Sequence, residues 1–354
     1  MSDNLKVKNS ELKVKSSELE TGKRTNMKTY IYDIIPEDIK KFQAGKNKKT
    51  GYSNLDVLTN LYSGLYVIGA ISSLGKTTFI HQMSDQLAEA GEHVIFFSLE
   101  QNTLELASKS LSRILAKKNY GNARTSLQIR NNDIDDDVRV AIDAYGKFAN
   151  NITVVEYGFK ATVEKIEKEV KNFIKTRNIK PVVIVDYLQV IQSEDYRGST
   201  KELVDMNVRK LKQLQSEEKI VVIVISSLNR QNYGNPINFE SFKESGGIEY
   251  TADVVWGLQL EELHEKEYMK EPSATKKQEM LNKAKASIPR RIELICLKNR
   301  FGISSYCCKF NYFPQFDYFV PDNSDITDEL LNASTNLDKD GFSAIPDGYI
   351  SPFN

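Results

Sequence analysis

Leu65-Tyr-Val-Ile-Gly-Ala-Ile-Ser-Ser-Leu-Gly-Lys-Thr77 decides the fold. Its first four residues are apolar, the composition of a strand buried on both faces. A run of small residues follows and ends in Gly75-Lys76-Thr77, after which Phe79, Ile80, Met83 and Leu87 recur at helical spacing. A strand that turns through such a loop into a helix opening on lysine and threonine is a phosphate cradle. Backbone N–H groups of the loop and of the helix N-terminus point at phosphate oxygens, where the helix dipole also favours negative charge. The residues expected to form the cradle are Ala70, Ser72, Ser73, Leu74, Gly75, Lys76, Thr77 and Thr78. Lys76 would neutralise β and γ oxygens, and the Thr77 hydroxyl would ligate Mg2+. The first small residue at the usual spacing is Ala70, with Gly69 just before it, so the strict all-glycine form is not met. A chance Gly-Lys-Thr is the bland alternative; the strand before and the helix after favour an ATP site.

Outward from this stretch, short β-branched runs alternate with helical segments from Thr50 to about Tyr318, the mark of parallel β/α architecture. Strands are expected at Leu65–Ile68, His93–Ser98, Ile152–Val155, Val182–Val185, Ile220–Ile225, Val254–Leu258 and Arg291–Leu297, with helices such as Thr77–Ala90, Leu104–Lys117 and Ala161–Thr176 between them. Two of these strands lead into acids. Pro181-Val-Val-Ile-Val-Asp186 ends in the carboxylate expected to hold magnesium, a strand-capping aspartate being the alternative. His93-Val-Ile-Phe-Phe-Ser-Leu-Glu100 leads to an acid placed to polarise attacking water, unless Glu100 is merely structural. The expected division is a basic extension over 1–49, an α/β core over 50–320 interrupted by a charged helical insertion at 261–290, and an acidic tail over 321–354.

Composition narrows the function classes. With 40% hydrophobic and 27% charged residues the chain can bury a sizeable core. No apolar run of membrane-spanning length and no signal-peptide pattern is present, which points to a cytoplasmic protein without membrane partners. Cys296, Cys307 and Cys308 lack metal-ligand spacing, and neighbours on a strand face opposite ways, so core thiols are expected. The net charge is zero, but residues 1–50 carry 12 lysines and arginines against 7 acids, while 322–354 carry 7 acids against Lys339 alone. A basic head suits phosphate backbone, or simply a solvated arm. The near-repeat Leu5–Glu11 and Leu12–Glu18 is too short for a stable heptad seam and suits a flexible extension, and the largely apolar Tyr30–Ile35 leads through Pro36, at a plausible helix start, to Glu37, Asp38, Ile39 and Phe42 of one short amphipathic helix.

Five further motifs follow the cradle in order: Phe97-Ser-Leu-Glu100, Val185-Asp-Tyr-Leu-Gln189, Ile225-Ser-Ser-Leu-Asn-Arg230, Glu244-Ser-Gly-Gly-Ile-Glu249 with Ala252-Asp-Val-Val255, and Lys298-Asn-Arg-Phe-Gly302. Over about residues 50–318 this series resembles the RecA-like motor domain of DnaB-type replicative DNA helicases. The resemblance implies a RecA-like P-loop core, a homohexameric ring around single-stranded DNA, 5′–3′ movement, unwinding of duplex, and ATP hydrolysis at subunit interfaces. It makes Lys298 and Arg300 a pair of cations reaching a neighbour's γ-phosphate; two apart on an expected strand, they project from one face, an exposed edge with two solvated cations being the alternative. It also places DNA-contacting loops at 192–202 and 231–243, where Arg197, Lys201, Arg230 and Lys243 are the available cations, each either a phosphate contact or a solvated surface charge.

The pattern departs from the family in two places. A glutamine thought to sense the γ-phosphate is replaced by the shorter Ser227, so that coupling is expected either to be weaker or to be carried by Ser226, Asn229 or water. About 50 residues stand where the family carries a helical domain that builds the ring and binds primase; Lys28–Phe42 is the candidate for a reduced docking helix, and a primase or helicase loader the candidate partner. The acidic tail, tipped Ile350-Ser-Pro-Phe-Asn354, is either a partner-docking segment or a solvated one. The rival readings are a RecA-like DNA-binding ATPase that does not unwind, such as a recombinase or loader, and a regulatory ATPase that does not bind DNA.

Overall fold

The computed structural model of the chain describes residues 48–324 except 72, 194–195, 197, 230–231 and 243–245. The Leu5–Glu18 repeat, the expected short helix opening at Pro36 and the tail beyond Ser324 lie outside the described residues. Helix α1 (Ser53–Asp56) precedes β1 (Gly64–Ala70) and α2 (Lys76–Glu89). Then come β2 (Val94–Ser98), α3 (Thr103–Lys118), α4 (Ser126–Asn131), α5 (Asp136–Ala149) and β3 (Ile152–Glu156). The chain continues through α6 (Val163–Arg177), β4 (Val182–Asp186), α7 (Thr200–Glu218), β5 (Val221–Ser227) and α8 (Gly246–Thr251). It closes with β6 (Val254–Leu260), α9 (Lys266–Lys270), α10 (Ala274–Ala286), β7 (Arg290–Asn299), β8 (Cys307–Phe313) and β9 (Tyr318–Asp322).

One nine-stranded sheet runs in the order β3-β2-β4-β5-β1-β6-β7-β8-β9. The first six strands are parallel and the last three antiparallel. Every residue of β1, β2, β4 and β6 is buried, as continuous apolar runs require of a parallel sheet covered on both faces. Phe79, Ile80, Met83 and Leu87, the face expected of the first long helix, are fully buried in the main core.

The seven expected strands are all present, mostly longer by one or two residues. Two more were not anticipated: β8 and β9 form an antiparallel extension that lies against α2. Strand β9 runs to Asp322, so ordered structure continues into the segment assigned to the tail. The insertion at 261–290 is helical, but it ends at Ala286, and Arg290 opens β7. It is not merely a solvated charged element: Leu263, Tyr268 and Leu281 are buried in the main core, because each helix needs one apolar anchor to hold it on the sheet. Cys296 and Cys308 are buried and Cys307 is partly so, the alternation expected of adjacent residues on a strand. No helix among the described residues is long and apolar enough to cross a membrane.

Candidate active site

Strands β1, β2, β4 and β5 all end at the same sheet edge. Ala70 pairs with Ser227, Ser98 with Asp186, and Val185 with Val224. The strand connections therefore bring Lys76-Thr77, Glu100 and Asp186 to one place from three segments of the chain. Open parallel sheets bind ligands at this edge.

Gly75 caps α2 with φ +85°, a left-handed conformation that suits glycine. A second constraint acts on the same residue: a Cβ there would lie 2.9 Å from the Tyr312 ring. Arg290 stacks over Tyr312, 5.7 Å from its centroid, and donates from Nη1 to the Ser73 carbonyl oxygen at 2.7 Å. The β7–β8 pair thus braces the phosphate loop from behind. Sequence reasoning missed both residues, since nothing local to Arg290 or Tyr312 shows that their strands lie beside the loop.

Lys76 and Thr77, partly exposed, open α2. The Lys76 ammonium lies over the Tyr187 ring at 5.4 Å, and the Thr77 hydroxyl bonds the Asp186 carboxylate. Asp186 is 2% exposed, and its Oδ1 is buried without a hydrogen-bond partner. An orphaned buried carboxylate oxygen beside a threonine hydroxyl is a donor set that fits Mg2+. Burial raises the Asp186 carboxyl to about 6; the Thr77 bond and the Lys76 charge oppose this, and Glu100 adds to it. Glu100 is exposed two residues beyond β2, near enough to Tyr187 to raise its phenol, after burial as the larger cause.

The other cradle positions divide. Ala70 and Leu74 are buried and so offer backbone alone, Ser73 is exposed with φ 67°, and Ser72 lies outside the described residues. Thr78 is a cradle residue whose hydroxyl donates to Asp317 Oδ1 at 3.1 Å. Only its backbone N–H is left for a nucleotide.

Lys298 and Arg300 are far from this edge. Strand β7 antiparallels β6, so Arg290 sits by Ser73 while Asn299 pairs with Val254 at the opposite edge. At about 3.3 Å per residue, roughly 30 Å of strand separates them. Arg300 lies just past the strand, and a bulge opposite Val255 and Trp256 interrupts the register, so simple alternation from one strand face does not describe the pair. Both cations nevertheless reach the same helix: Lys298 Nζ donates to the Glu249 carbonyl at 2.6 Å, and Arg300 Nη2 to that of Tyr250 at 3.3 Å. Carbonyls at the end of α8 suit positive charge. Arg300 Nη1 also pairs with Asp253 Oδ1 at 3.2 Å, a buried carboxylate that holds Lys212 at 2.5 Å as well. Burial, and then the Arg300 charge, lower the Lys298 ammonium. Half of the Arg300 side chain stays exposed.

Of the candidate DNA contacts, Lys201 is exposed in the first turn of α7. Arg197, Arg230 and Lys243 lie outside the described residues. Ser226 is enclosed, and the Asn229 amide is engaged by the carbonyls of Glu240 and Phe242 at 3.2 and 3.4 Å.

The sequence model of the family described as DnaB-like helicase C terminal domain matches residues 48–320. The chain belongs to this family. Its members are ATPases, so nucleotide binding comes with membership. Among curated relatives, the replicative DNA helicase DnaB of Leifsonia xyli is 31% identical over 254 residues, covering 67% of this chain and 53% of that protein. The replicative DNA helicase DnaC of Bacillus subtilis is 26% identical over 272 residues, covering 73% and 58%. The chain spans about half the length of the curated relatives it matches. A solved ATPase domain superposes with TM-score 0.66 at 19% identity, covering 83% of this chain and 99% of that one. A DnaB-like replicative helicase, solved in a study of its interactions with primase, superposes with TM-score 0.64 at 19% identity over 88% and 71%. Both likenesses show the fold of a DnaB-like ATPase domain.

The raised Asp186 carboxyl has a consequence for pH. Because its folded value lies above the ordinary 3.8, the protonated form favours the fold; that contribution is complete below about pH 4 and is lost as pH rises through about 6. Metal-nucleotide binding runs the other way, since it needs the carboxylate. Mg-ATP affinity of the parent protein, measured by calorimetry, is expected to fall as pH drops through 6. Asp186→Asn is expected to bind weakly with no such inflection; an inflection retained in Asp186→Asn would assign the titration to another group.

Proposed function

We propose that the protein is an ATP-driven motor that moves along single-stranded DNA and unwinds duplex during replication, working as a ring, most simply a hexamer, with each ATP site shared between neighbours. The observation that carries this reading is the separation of Lys298 and Arg300 from the cradle of their own chain. Cations at the far edge of the sheet serve a nucleotide only if it belongs to an adjacent subunit.

In this reading the phosphates lie on the backbone of residues 70–78, and Lys76 leaves the Tyr187 ring to neutralise β and γ oxygens. Thr77 and Asp186 would hold Mg2+, which when bound neutralises phosphate charge. Glu100 orients and polarises the attacking water. Lys298 and Arg300 of the neighbour stabilise charge developing on the transferred phosphoryl group. A ring brings Lys201, and Arg197, Arg230 and Lys243 from the loops at 192–202 and 231–243, to a common pore, where symmetry multiplies a few cations into a backbone-binding surface. Residues 28–42 would dock on the adjacent subunit. Primase or a loader remains the proposed partner of the assembled ring.

Ser227 lends weight to a second reading, a DNA-binding ATPase of the same fold that does not unwind. Strand displacement of a forked duplex, measured with ATP turnover on protein of determined oligomeric state, separates the two. A motor is expected to displace the strand, and its turnover to rise with single-stranded DNA and fall steeply with salt. DNA-stimulated turnover without displacement would favour the second reading, and turnover indifferent to DNA would remove both.

A further inference from the structure

The last pairing between β4 and β5 is Val185 with Val224. Beyond it β5 continues for three residues to Ser227, while β4 ends at Asp186 and turns through a short 3-10 segment, Leu188–Val190. A backbone N–H at the exposed end of an interior strand needs a partner. The Gln189 side chain provides one. Its Oε1 accepts from the Ser227 N–H at 3.0 Å, and its Nε2 donates to the Ser226 hydroxyl at 2.8 Å. The carboxamide thus stands in for the strand that has ended, using donor and acceptor together.

Its position gives these bonds a consequence. On one side Gln189 follows Asp186 by three residues and Tyr187 by two, and Tyr187 faces Lys76 and feels the charge of Glu100. On the other, the chain after Gln189 is pinned by Asn207 Nδ2 to the Ile191 carbonyl at 2.9 Å and by the Gln192 N–H to that of Ala161 at 2.8 Å, then enters the 192–202 segment. Ser227 leads into the second loop, held by the Leu228–Phe242 bridge and by the Asn229 N–H on the Ser241 carbonyl at 2.8 Å. One rigid amide therefore joins the roots of both loops at a point next to the nucleotide acids.

We infer that Gln189 is a positioning residue that couples the state of the nucleotide to the two DNA-side loops, the task for which the short Ser227 side chain is unsuited. The inference rests on the DNA-motor reading above. A displacement of Tyr187 as Lys76 turns to phosphate moves Gln189, and the paired bonds oblige Ser226 and Ser227 to follow. With both bonds intact, the roots of the two loops are tied at this point; with either missing, the ends of β4 and β5 beyond the Val185–Val224 pair are no longer held together.

The test uses the full chain with Gln189→Met, which keeps side-chain volume and removes both bonds, with Ser226→Ala, which removes one, and with the double variant. ATP turnover is measured with and without single-stranded DNA, together with KM for ATP and the thermal unfolding midpoint. Basal turnover and KM are expected within about 2-fold of the parent, while the stimulation factor drops by roughly 2- to 30-fold, the range for residues on a coupling path. The double variant is expected to be no worse than Gln189→Met alone, since the two side chains act through one contact. Parental stimulation in Gln189→Met would overturn the inference. So would basal and stimulated turnover falling by the same factor, the mark of a merely structural residue. A parent protein that DNA does not stimulate would overturn the motor reading itself, and the inference with it.

Discussion

Arg300→Ala is expected to lose roughly 10³- to 10⁵-fold in DNA-stimulated ATP turnover while still binding ATP, the range found for arginine fingers. The structure separates this loss from a folding defect. The guanidinium is half exposed, and when it is removed Asp253 keeps Lys212 at 2.5 Å and the Leu65 N–H at 2.8 Å, so the buried carboxylate is not orphaned. With the buried carboxylate still paired, removing a half-exposed arm is expected to cost far less than orphaning a buried charge. The stronger test mixes subunits. Lys76→Ala removes the cradle's own cation and leaves Lys298 and Arg300 intact, whereas Arg300→Ala does the reverse. Neither protein alone is expected to turn over ATP appreciably, whereas an exchanged mixture of a ring with shared sites would contain interfaces in which an intact cradle faces an intact Arg300. Turnover that returns on mixing requires action between subunits. Preparations shown to exchange subunits and yet regaining nothing on mixing would refute a shared site.

The contrast between what the sequence showed and what it concealed has a physical cause. The cradle, the buried face of α2 and the acids Glu100 and Asp186 are written in contiguous residues, because a strand, a tight loop and a helix N-terminus each impose a local pattern. Lys298 and Arg300 were found through their motif, but their distance from the cradle was not readable, since it depends on β7 running antiparallel. Strands β8 and β9 went unassigned because they are only half buried along their length and their aromatics serve a surface formed by other elements. The bracing of the loop by Arg290 and Tyr312 is a contact between strands and has no signature in either. The substitution of Ser227 was visible from the motif series, yet its partner Gln189, 38 residues earlier, becomes evident only once β4 is seen to stop short of β5.

Arg113 illustrates the same limit with the larger effect on stability. Nothing in the spacing of α3 distinguishes it from Lys109 or Lys117, yet it is 2% exposed, with Nη1 donating to the Asp317 carbonyl and Nη2 to Asp85 Oδ2, both at 2.6 Å. Burial lowers His81, beside it on α2, to about 4, so that imidazole is neutral at ordinary pH and contributes no charge against Asp85. Arg113 is then the cation that compensates a buried carboxylate, and it also ties α2 to the Asp317 turn between β8 and β9. Arg113→Met is expected to cost about 3–5 kcal/mol in denaturant unfolding, because it leaves Asp85 buried and unpaired. Removing both charges in Arg113→Met with Asp85→Leu is expected to recover most of that, since an apolar pair of similar volume replaces a buried ion pair at little cost. The nucleotide site provides an independent readout: Tyr312 on β8 lies against Gly75, so a loosened hairpin is expected to raise KM for ATP in the single variant and less in the double. A loss under 1 kcal/mol in Arg113→Met, or a double variant no more stable than the single one, would show that packing of the β8–β9 aromatics, rather than this ion pair, holds the hairpin to the phosphate-loop helix.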